Sequence, residues 1–374
     1  MIIKNADVFT EEGTFVLKDI YIEGNLFAEQ AGGDVIDGSG CYAIPGLVDI
    51  HFHGCVGYDF CDGTKEAIDA MAEYEASQGV TAIVPATMTL GRDTLKKICE
   101  TAGAYGNGNE KGAELCGINM EGPFISMEKK GAQNPLYIHR PDVEMFRELN
   151  AASGNMVKLV ALAPEEEGAM EFIDALVNED KVVVSIAHTT ADAETAAEAL
   201  RRGASHVTHL YNAMPPFHHR KPGVVGAACD DENCEVELIC DGIHIAPEMV
   251  RATFKMFGRD RVILISDSMM ATGMPDGTYS LGGQVVIVKG NLATLEDGTI
   301  AGSNTNLMNC MKTVVQKMKL PLETAVLCAS RNPAKSVGIY DRYGSIRPGK
   351  VASMVLLDKE DLSVKQVILR GKLL

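Results

Sequence analysis

His51 and His53 are the residues whose types and spacing point most directly to chemistry. They follow an apolar run, residues 47–50, that is typical of a buried strand. Side chains two residues apart in a strand project from the same face, so both imidazoles can bind one divalent cation. Gly54 ends the strand where such a site would open. The alternative is a pair of structural histidines beside a turn, and ligands elsewhere in the chain must decide between the two.

The length, composition and net charge of the chain limit its number of domains, its location and its classes of partner. The chain has 374 residues, 46% of them hydrophobic, enough for one large domain or two smaller ones. There is no run of about 18 apolar residues and no apolar secretion signal, so we expect neither a membrane span nor export. The ten cysteines contain no Cys-x-x-Cys pair and are typical of reduced thiols in a cytoplasmic protein. A formal net charge of −17 disfavours nucleic acid or an anionic membrane as a partner.

Strand and helix patterns alternate through most of the chain. Predicted strands, apolar and rich in β-branched residues, cover residues 47–53, 82–85, 115–120, 157–162, 182–187, 206–209, 236–240 and 262–266. Predicted helices include residues 64–78, 92–105, 191–202, 247–257, 306–317 and 322–328. This alternation predicts an α/β protein built on a (β/α)8 TIM-like barrel. A doubly wound open sheet is the alternative, but its Gly-rich dinucleotide fingerprint is absent.

The two ends of the chain have a different pattern. Residues 1–48 contain short strand signals separated by Gly-containing turns, and residues 346–374 are similar. Neither end is long enough to bury a core alone. We therefore predict that they pair into one discontinuous small β-sandwich domain, which leaves residues 49–345 as the barrel.

Polar residues stand repeatedly where the predicted barrel strands end. In such a barrel, the catalytic groups come from the C-terminal ends of the strands. The polar residues at these ends are His51, His53, Glu121, His188, His209, Asp241, His244 and Asp267. A single histidine after a strand is more often structural than a ligand. Six strand ends with such residues, however, predict one shared site.

Glu121, His188 and His209 form a candidate shell for one divalent ion. Nitrogen and oxygen ligands suit zinc, iron or another borderline divalent metal, and zinc is favoured. His51 and His53 could hold a second ion beside the first, with Glu121 bridging the two. The sequence therefore predicts a site for one or two divalent ions.

Asp267 is the candidate acid–base group. A carboxylate next to a metal-bound water can accept that water's proton and later deliver it to a leaving amine. A metal lowers the pKa of its bound water to near neutral, which makes hydroxide available at neutral pH. The alternative is a cap, since Ser266 and Ser268 flank Asp267 with cap-like chemistry. His206, three residues before His209, faces the other side of its strand and is expected to be structural.

The connection after the sixth strand, residues 210–223, contains four consecutive residues that carry or can carry positive charge. These residues are His218, His219, Arg220 and Lys221. A solvated charge run is the usual interpretation. On a catalytic-face loop of an acidic protein, an anion site is equally well supported. An Arg contact to a phosphate group contributes about 1.5–3 kcal/mol as a charge-assisted hydrogen bond.

Several blocks of the sequence resemble one known family. Residues 45–54 (PGLVDIHFHG) resemble the first metal motif of the amidohydrolase superfamily, and residues 332–352 resemble that superfamily's return to its β-sandwich. More narrowly, four blocks resemble the N-acetylglucosamine-6-phosphate deacetylase family: residues 120–124, 129–132, 209–214 (HLYNAM) and 241–244. The resemblance spans nearly the whole chain, and the block at 209–214 is highly specific.

The resemblance implies a metal-dependent hydrolase that converts N-acetyl-D-glucosamine 6-phosphate to D-glucosamine 6-phosphate and acetate. It implies metal-bound hydroxide as the nucleophile, Asp267 as general base and acid, and a homodimer in which Arg220 reaches across the interface. The substrate contacts that it implies are Ala132, Gln133, Asn212, Ala213, Arg220, Asp241, Gly242, Ile243, His244, Ile300, Ala301 and Gly302.

The chain departs from the family pattern at Gln133. Well-known members have a histidine there that polarises the acetamide carbonyl, whereas the Gln133 amide can donate a hydrogen bond but carries no charge. Some members also lack the His-x-His pair and bind one metal, while this chain keeps the pair. The alternatives that stay open are a deacetylase for the galactosamine epimer and a non-catalytic amidohydrolase-like scaffold.

Overall fold

Parallel strands form the centre of the molecule in the computed structural model, which describes residues 1–106 and 109–374. These strands are Leu47–Asp49, Val80–Ile83, Glu114–Leu115, Ile118–Met120, Val157–Leu162, Val183–Ile186, His206–Val207, Glu235–Ile239 and Val262–Ile265. Neighbours in the chain pair with each other, in one sheet of three strands and one of six. A parallel bridge between Ala86 and Asn119 joins the two sheets. At the other side, the backbone N–H of Asp267 donates to the carbonyl oxygen of His51 at 2.9 Å.

Helices cover the outside of this curled sheet. They are Lys65–Ser77, Arg92–Tyr105, Val143–Ala152, Ala169–Ala175, Ala193–Arg201, Gly223–Asp230, Pro247–Phe257, Leu307–Gln316, Leu322–Ala329 and Arg331–Ser336. Four of them begin after a residue whose side chain accepts a hydrogen bond from the backbone of the first turn: Thr64, Asp142, Asp192 and Asn306. The large buried side chains between helices and strands include Phe52, Phe60, Phe124, Phe146 and Phe172.

Strands from both chain ends form a second sheet. They are Ile2–Phe9, Phe15–Glu23, Leu26–Ala28, Val35–Asp37, Cys41–Pro45, Met354–Asp358, Val364–Leu369 and Lys372–Leu373. Hydrogen bonds join all eight strands into one sheet. The strand Ile2–Phe9 pairs with three partners, and its antiparallel pairing with Phe15–Glu23 has a register shift between Ile3 and Ala6. The sheet encloses its own apolar cluster, which includes Ile20, Met354 and Ile368. The predicted α/β architecture, with a sheet built from both ends, is confirmed; the exact domain boundaries stay a prediction.

Along the chain, the segment between the last barrel strand and the helix Leu307–Gln316 forms a three-stranded antiparallel sheet. Its strands are Gly277–Leu281, Gln284–Lys289 and Leu292–Thr294. Leu281 packs in a buried cluster with Met88 and Ala132. This small sheet thus contacts the segments that follow two barrel strands. Among the described residues, no helix is both long and apolar enough to cross a membrane.

Candidate active site

Sharp turns directly after the barrel strands bring the predicted ligands to one place. His188, His209 and Asp267 each lie two residues beyond a strand and have φ values of 43°, 30° and 50°. Residues other than glycine rarely adopt this left-handed conformation, and it is commonly found at functional sites. The turns direct these three side chains inward, and all three are buried.

The first triad consists of Glu121, His188 and His209. The Oε1 atom of Glu121 lies 3.2 Å from Nε2 of His188 and 3.1 Å from Nε2 of His209. The two Nε2 atoms lie 3.1 Å from each other. Nδ1 of His188 lies 2.9 Å from the carbonyl oxygen of Lys129. Because a carbonyl oxygen can only accept a hydrogen bond, Nδ1 carries the proton and donates it. Nε2 of His188 is then free to act as a ligand.

The second triad consists of His51, His53 and Asp267. The Oδ1 atom of Asp267 lies 3.3 Å from Nε2 of His53 and 3.8 Å from Nε2 of His51. Glu121 joins the two triads, because its Oε1 lies 3.3 Å from Nε2 of His51 and its Oε2 lies 3.3 Å from Nε2 of His53. The potential ligand atoms within each triad lie within 4.8 Å of one another.

The donor set fits divalent metal ions. Each triad combines two imidazole nitrogens with one carboxylate, which is the ligand chemistry of zinc and related ions. Nε2 of His51 is fully buried and has no hydrogen-bond partner in the described part of the chain. A buried, unpartnered nitrogen aimed at two carboxylates is best satisfied by a cation between them. The two buried triads are therefore consistent with a binuclear metal site.

The charges of the site also favour a cation. Burial opposes ionisation of Glu121, but the surrounding imidazoles of His51, His188 and His209 outweigh it and hold the pKa of Glu121 well below its usual range. Burial likewise opposes the charge on Asp267, yet His53 and His51 lower its pKa. Both carboxylates are therefore ionised at neutral pH and attract positive charge.

Comparison with known proteins agrees with this geometry. The sequence model of the amidohydrolase family matches residues 42–374. The chain belongs to the amidohydrolase family. The N-acetylglucosamine-6-phosphate deacetylase of Bacillus subtilis is 39% identical over 333 residues, covering 88% of this chain and 84% of that protein. The N-acetylgalactosamine-6-phosphate deacetylase of Escherichia coli O157:H7 is 34% identical, covering 88% and 86%.

A solved structure extends the comparison to the fold of this amidohydrolase. It is an alanine variant of N-acetyl-D-glucosamine-6-phosphate deacetylase from Mycobacterium smegmatis, in complex with N-acetyl-D-glucosamine 6-phosphate. The two proteins share 31% sequence identity with a TM-score of 0.93, and the match covers 100% of this chain and 98% of the other. The chain is therefore an enzyme of the hydrolase class.

A cavity of about 510 Å³ opens above the triads of the amidohydrolase. The predicted substrate-binding residues that line it are Ala132, Gln133, Asn212, Ala213, His244, Ile300 and Gly302. The predicted residues outside its lining are Arg220, Asp241, Gly242, Ile243 and Ala301. Lining residues that the sequence did not single out as substrate contacts include Lys129, Lys130 and Leu281. The two lysines belong to the block at 129–132, whereas Leu281 comes from the small antiparallel sheet.

Arg220 and Ala301 illustrate why some predicted residues lie outside the cavity. Arg220 is exposed, and its Nη1 lies 2.8 Å from Nε2 of the neighbouring His219. Ala301 is fully buried, and its backbone N–H donates to the carbonyl oxygen of Ala293 in the small antiparallel sheet. The contact of Arg220 with substrate across a dimer interface stays a prediction.

Gln133 is held with its amide donor facing the metal site. Its Oε1 accepts the backbone N–H of Thr89 at 2.7 Å, and its Nε2 donates to Oε2 of Glu121 at 2.6 Å. Because the Thr89 N–H can only donate, the amide cannot be flipped without losing a buried hydrogen bond. The second proton on Nε2 remains available to a ligand in the cavity.

We predict that Gln133→Leu lowers kcat/KM by about 10- to 150-fold, because a hydrogen bond to a charged group contributes about 1.5–3 kcal/mol. Steady-state kinetics with the acetylated substrate would measure the loss. Gln133→His is the matched control, since it supplies a donor at the same position and should retain most of the activity. Unchanged kinetics in the leucine variant would contradict a role for the amide.

His244 is oriented toward the cavity by Asp241. The Oδ2 atom of Asp241 accepts from Nδ1 of His244 at 2.8 Å, while Oδ1 accepts the backbone N–H groups of Ile243 and His244. Burial alone would lower the pKa of His244, but Asp241 outweighs burial and raises the pKa above its ordinary value. Asp241 therefore positions His244 and extends the pH range over which its imidazole is positively charged.

Proposed function

We propose that this amidohydrolase removes the acetyl group from N-acetyl-D-glucosamine 6-phosphate and releases D-glucosamine 6-phosphate and acetate. The observation that carries the proposal is the placement of two buried triads at the floor of a cavity lined by basic side chains. The relatives support the same chemistry, since the Bacillus subtilis protein is named for this activity and the Mycobacterium smegmatis structure contains this sugar phosphate.

Asp267 is the proposed proton carrier. A divalent ion bound by the triads would supply Lewis acidity and a water ionised near neutral pH. The lowered pKa of Asp267 keeps its carboxylate ionised, so it can accept a proton from the attacking water. The water oxygen bonds to the acetyl carbon, the C–N bond breaks, and Asp267 returns the proton to the sugar nitrogen. Gln133 directs an amide N–H toward the same space and would orient the acetyl oxygen.

The phosphate of the substrate needs local positive charge in a chain of net charge −17. Lys129, Lys130 and His244 line the cavity and provide such charge within one subunit. Arg220 would add to it if a second subunit brings this residue to the cavity. Holding the phosphate fixes the acetamide relative to Asp267, which is a positional contribution to the rate.

We predict that KM for the phosphorylated substrate rises as pH increases through the raised pKa of His244, because the deprotonated imidazole no longer attracts the phosphate. The charge is fully present below the ordinary pKa of about 6.5 and is lost above the folded value. Asp241 and Asp267 are the carboxylates that raise this pKa. A KM–pH profile would measure the effect, and His244→Gln should remove this part of the profile. Identical profiles for both proteins would contradict the role of His244.

The test of the proposed function is acetate release by purified, metal-loaded protein. We expect the highest kcat/KM with N-acetyl-D-glucosamine 6-phosphate and a large loss with unphosphorylated N-acetyl-D-glucosamine. A higher kcat/KM with N-acetyl-D-galactosamine 6-phosphate would instead favour the epimer, a candidate supported by the Escherichia coli O157:H7 relative. No acetate release from any of the three would favour the non-catalytic scaffold.

Three further expectations complete the proposal. We infer zinc as the bound metal, because two imidazoles and one carboxylate in each triad suit it. We also infer a homodimer, in which Arg220 contacts the substrate of the neighbouring subunit. A cytoplasmic location stays a prediction from the cysteine pattern, and all ten cysteines are free thiols in the structure. Metal analysis and sedimentation measurements would test the first two.

A further inference from the structure

Glu237 is a fully buried carboxylate that contacts one residue from each triad. It lies in the strand Glu235–Ile239 and is not one of the site residues predicted from the sequence. Its Oε2 lies 2.9 Å from Nδ1 of His51 and accepts the backbone N–H of His209 at 3.1 Å. Its Oε1 lies 3.1 Å from Nε2 of His206. Three nitrogens therefore surround a group that, when ionised, can only accept hydrogen bonds.

These contacts determine the tautomer of His51. The backbone N–H of His209 can only donate, so Oε2 of Glu237 acts as an acceptor. An ionised Glu237 has no proton to donate, so Nδ1 of His51, which faces the same oxygen, carries the proton of that hydrogen bond. A neutral imidazole has one N–H, which leaves Nε2 of His51 with a free lone pair. That atom is buried without a hydrogen-bond partner among the described residues and lies 3.3 Å from Oε1 of Glu121.

We propose that Glu237 is a positioning residue that fixes His51 as a metal ligand and thereby sets the affinity of the second triad for its ion. This inference rests on the proposed metal centre. Carboxylates that accept the second N–H of a ligating histidine orient the ring and make it more basic, and their loss typically lowers metal affinity about 10- to 100-fold.

The effect should be greater at the second triad than at the first. Glu237 contacts the imidazole of His51, a ligand of the second triad, but reaches the first triad only through the backbone of His209. The ring of His188, the other imidazole of the first triad, is held instead by the carbonyl oxygen of Lys129. Neutralising Glu237 should therefore lower the affinity for the ion of the second triad more than the affinity for the other ion.

Glu237→Gln tests this inference with Glu235→Gln as the matched control. Glu235 lies two residues earlier on the same strand, and its Oε2 is 3.8 Å from Nδ1 of His206. Zinc content would be measured after equilibration at graded free zinc concentrations. We expect the wild type to bind two ions and Glu235→Gln to bind both with the same affinities. In Glu237→Gln, we expect one ion to bind with the wild-type affinity and the affinity for the second to fall about 10- to 100-fold.

Three results would overturn the inference. They are unchanged affinity for both ions in Glu237→Gln, an equal loss of affinity for both ions in that variant, and only one zinc site in the wild type. If the glutamine variant does not fold, nitrogen-15 NMR of the zinc-loaded wild type provides the test, with the His51 signals assigned through His51→Gln. We expect a proton on Nδ1 of His51 and none on Nε2, and an Nδ1 without a proton would overturn the inference. Neither readout depends on acetate release, so the deacetylase proposal can fail while this inference stands, and the reverse also holds.

Discussion

Asp267→Asn is expected to lower kcat by about 10²- to 10⁴-fold, the range that general acid–base catalysis supplies. Asparagine has nearly the same shape as aspartate but cannot accept the proton of the attacking water. The native carboxylate is suited to this step because His53 and His51 overcome the effect of burial and lower its pKa. Acetate release in a single-turnover assay would measure the loss.

The metal content of the Asp267→Asn variant separates proton transfer from metal binding. The first triad lacks Asp267, so its ion should be retained, and an amide oxygen can still face the second. Glu128→Gln is the control, since Glu128 is an exposed carboxylate that lines the cavity outside both triads. That variant should behave as the wild type. Full activity in Asp267→Asn would remove Asp267 from the mechanism.

Glu121→Gln is expected to cause the largest loss of metal. Both oxygens of Glu121 are used, with Oε1 near His188, His209 and His51 and Oε2 near His53. Removing the charge leaves four buried imidazoles with one fewer ionised partner. The affinity of the site for both ions should therefore fall by more than about 100-fold, which is the upper end of the loss caused by removing an outer-shell carboxylate. Metal analysis after dialysis would measure the loss, and activity should fall with it.

Chelation provides the corresponding measurement on the wild type. Activity should disappear with a chelator and return when a divalent ion is added, whereas Glu121→Gln should not recover at the same ion concentration. Glu165→Gln is a suitable control, because Glu165 accepts hydrogen bonds from Thr189 and Thr190 but belongs to neither triad. A Glu121→Gln protein that keeps two tightly bound ions would contradict the bridging role of Glu121.

Much of the fold followed from local patterns. The helices Arg92–Tyr105 and Pro247–Phe257 have the predicted bounds, because amphipathic periodicity and the residues at their ends are local signals. The helix Val143–Ala152 was not predicted, although its cap residue Asp142 was a readable signal. The small antiparallel sheet of residues 277–294 was also missed. Its strands pair across tight glycine-containing turns, Gly282-Gly283 and Gly290, that the alternating barrel pattern did not require.

Glu237 contacts a residue of each triad but was not among the predicted site residues. It is a charged residue inside the otherwise apolar run 236–240, which signals a buried polar role. The partners of Glu237 could not be predicted from the sequence, because His51 is 186 residues away along the chain. The predicted site residues, such as Glu121, His188 and Asp267, instead stand after the ends of the strands.

The sequence by itself determined which residue types stand at the strand ends, because the two-residue period of a strand and the barrel rule are properties of short segments. Only the tertiary structure decided that Glu121 faces both triads, that Thr89 fixes the amide of Gln133, and that Arg220 lies outside the cavity of its own chain. These contacts join segments tens to hundreds of residues apart. Their distances depend on how the sheet curls and closes, which no local pattern specifies.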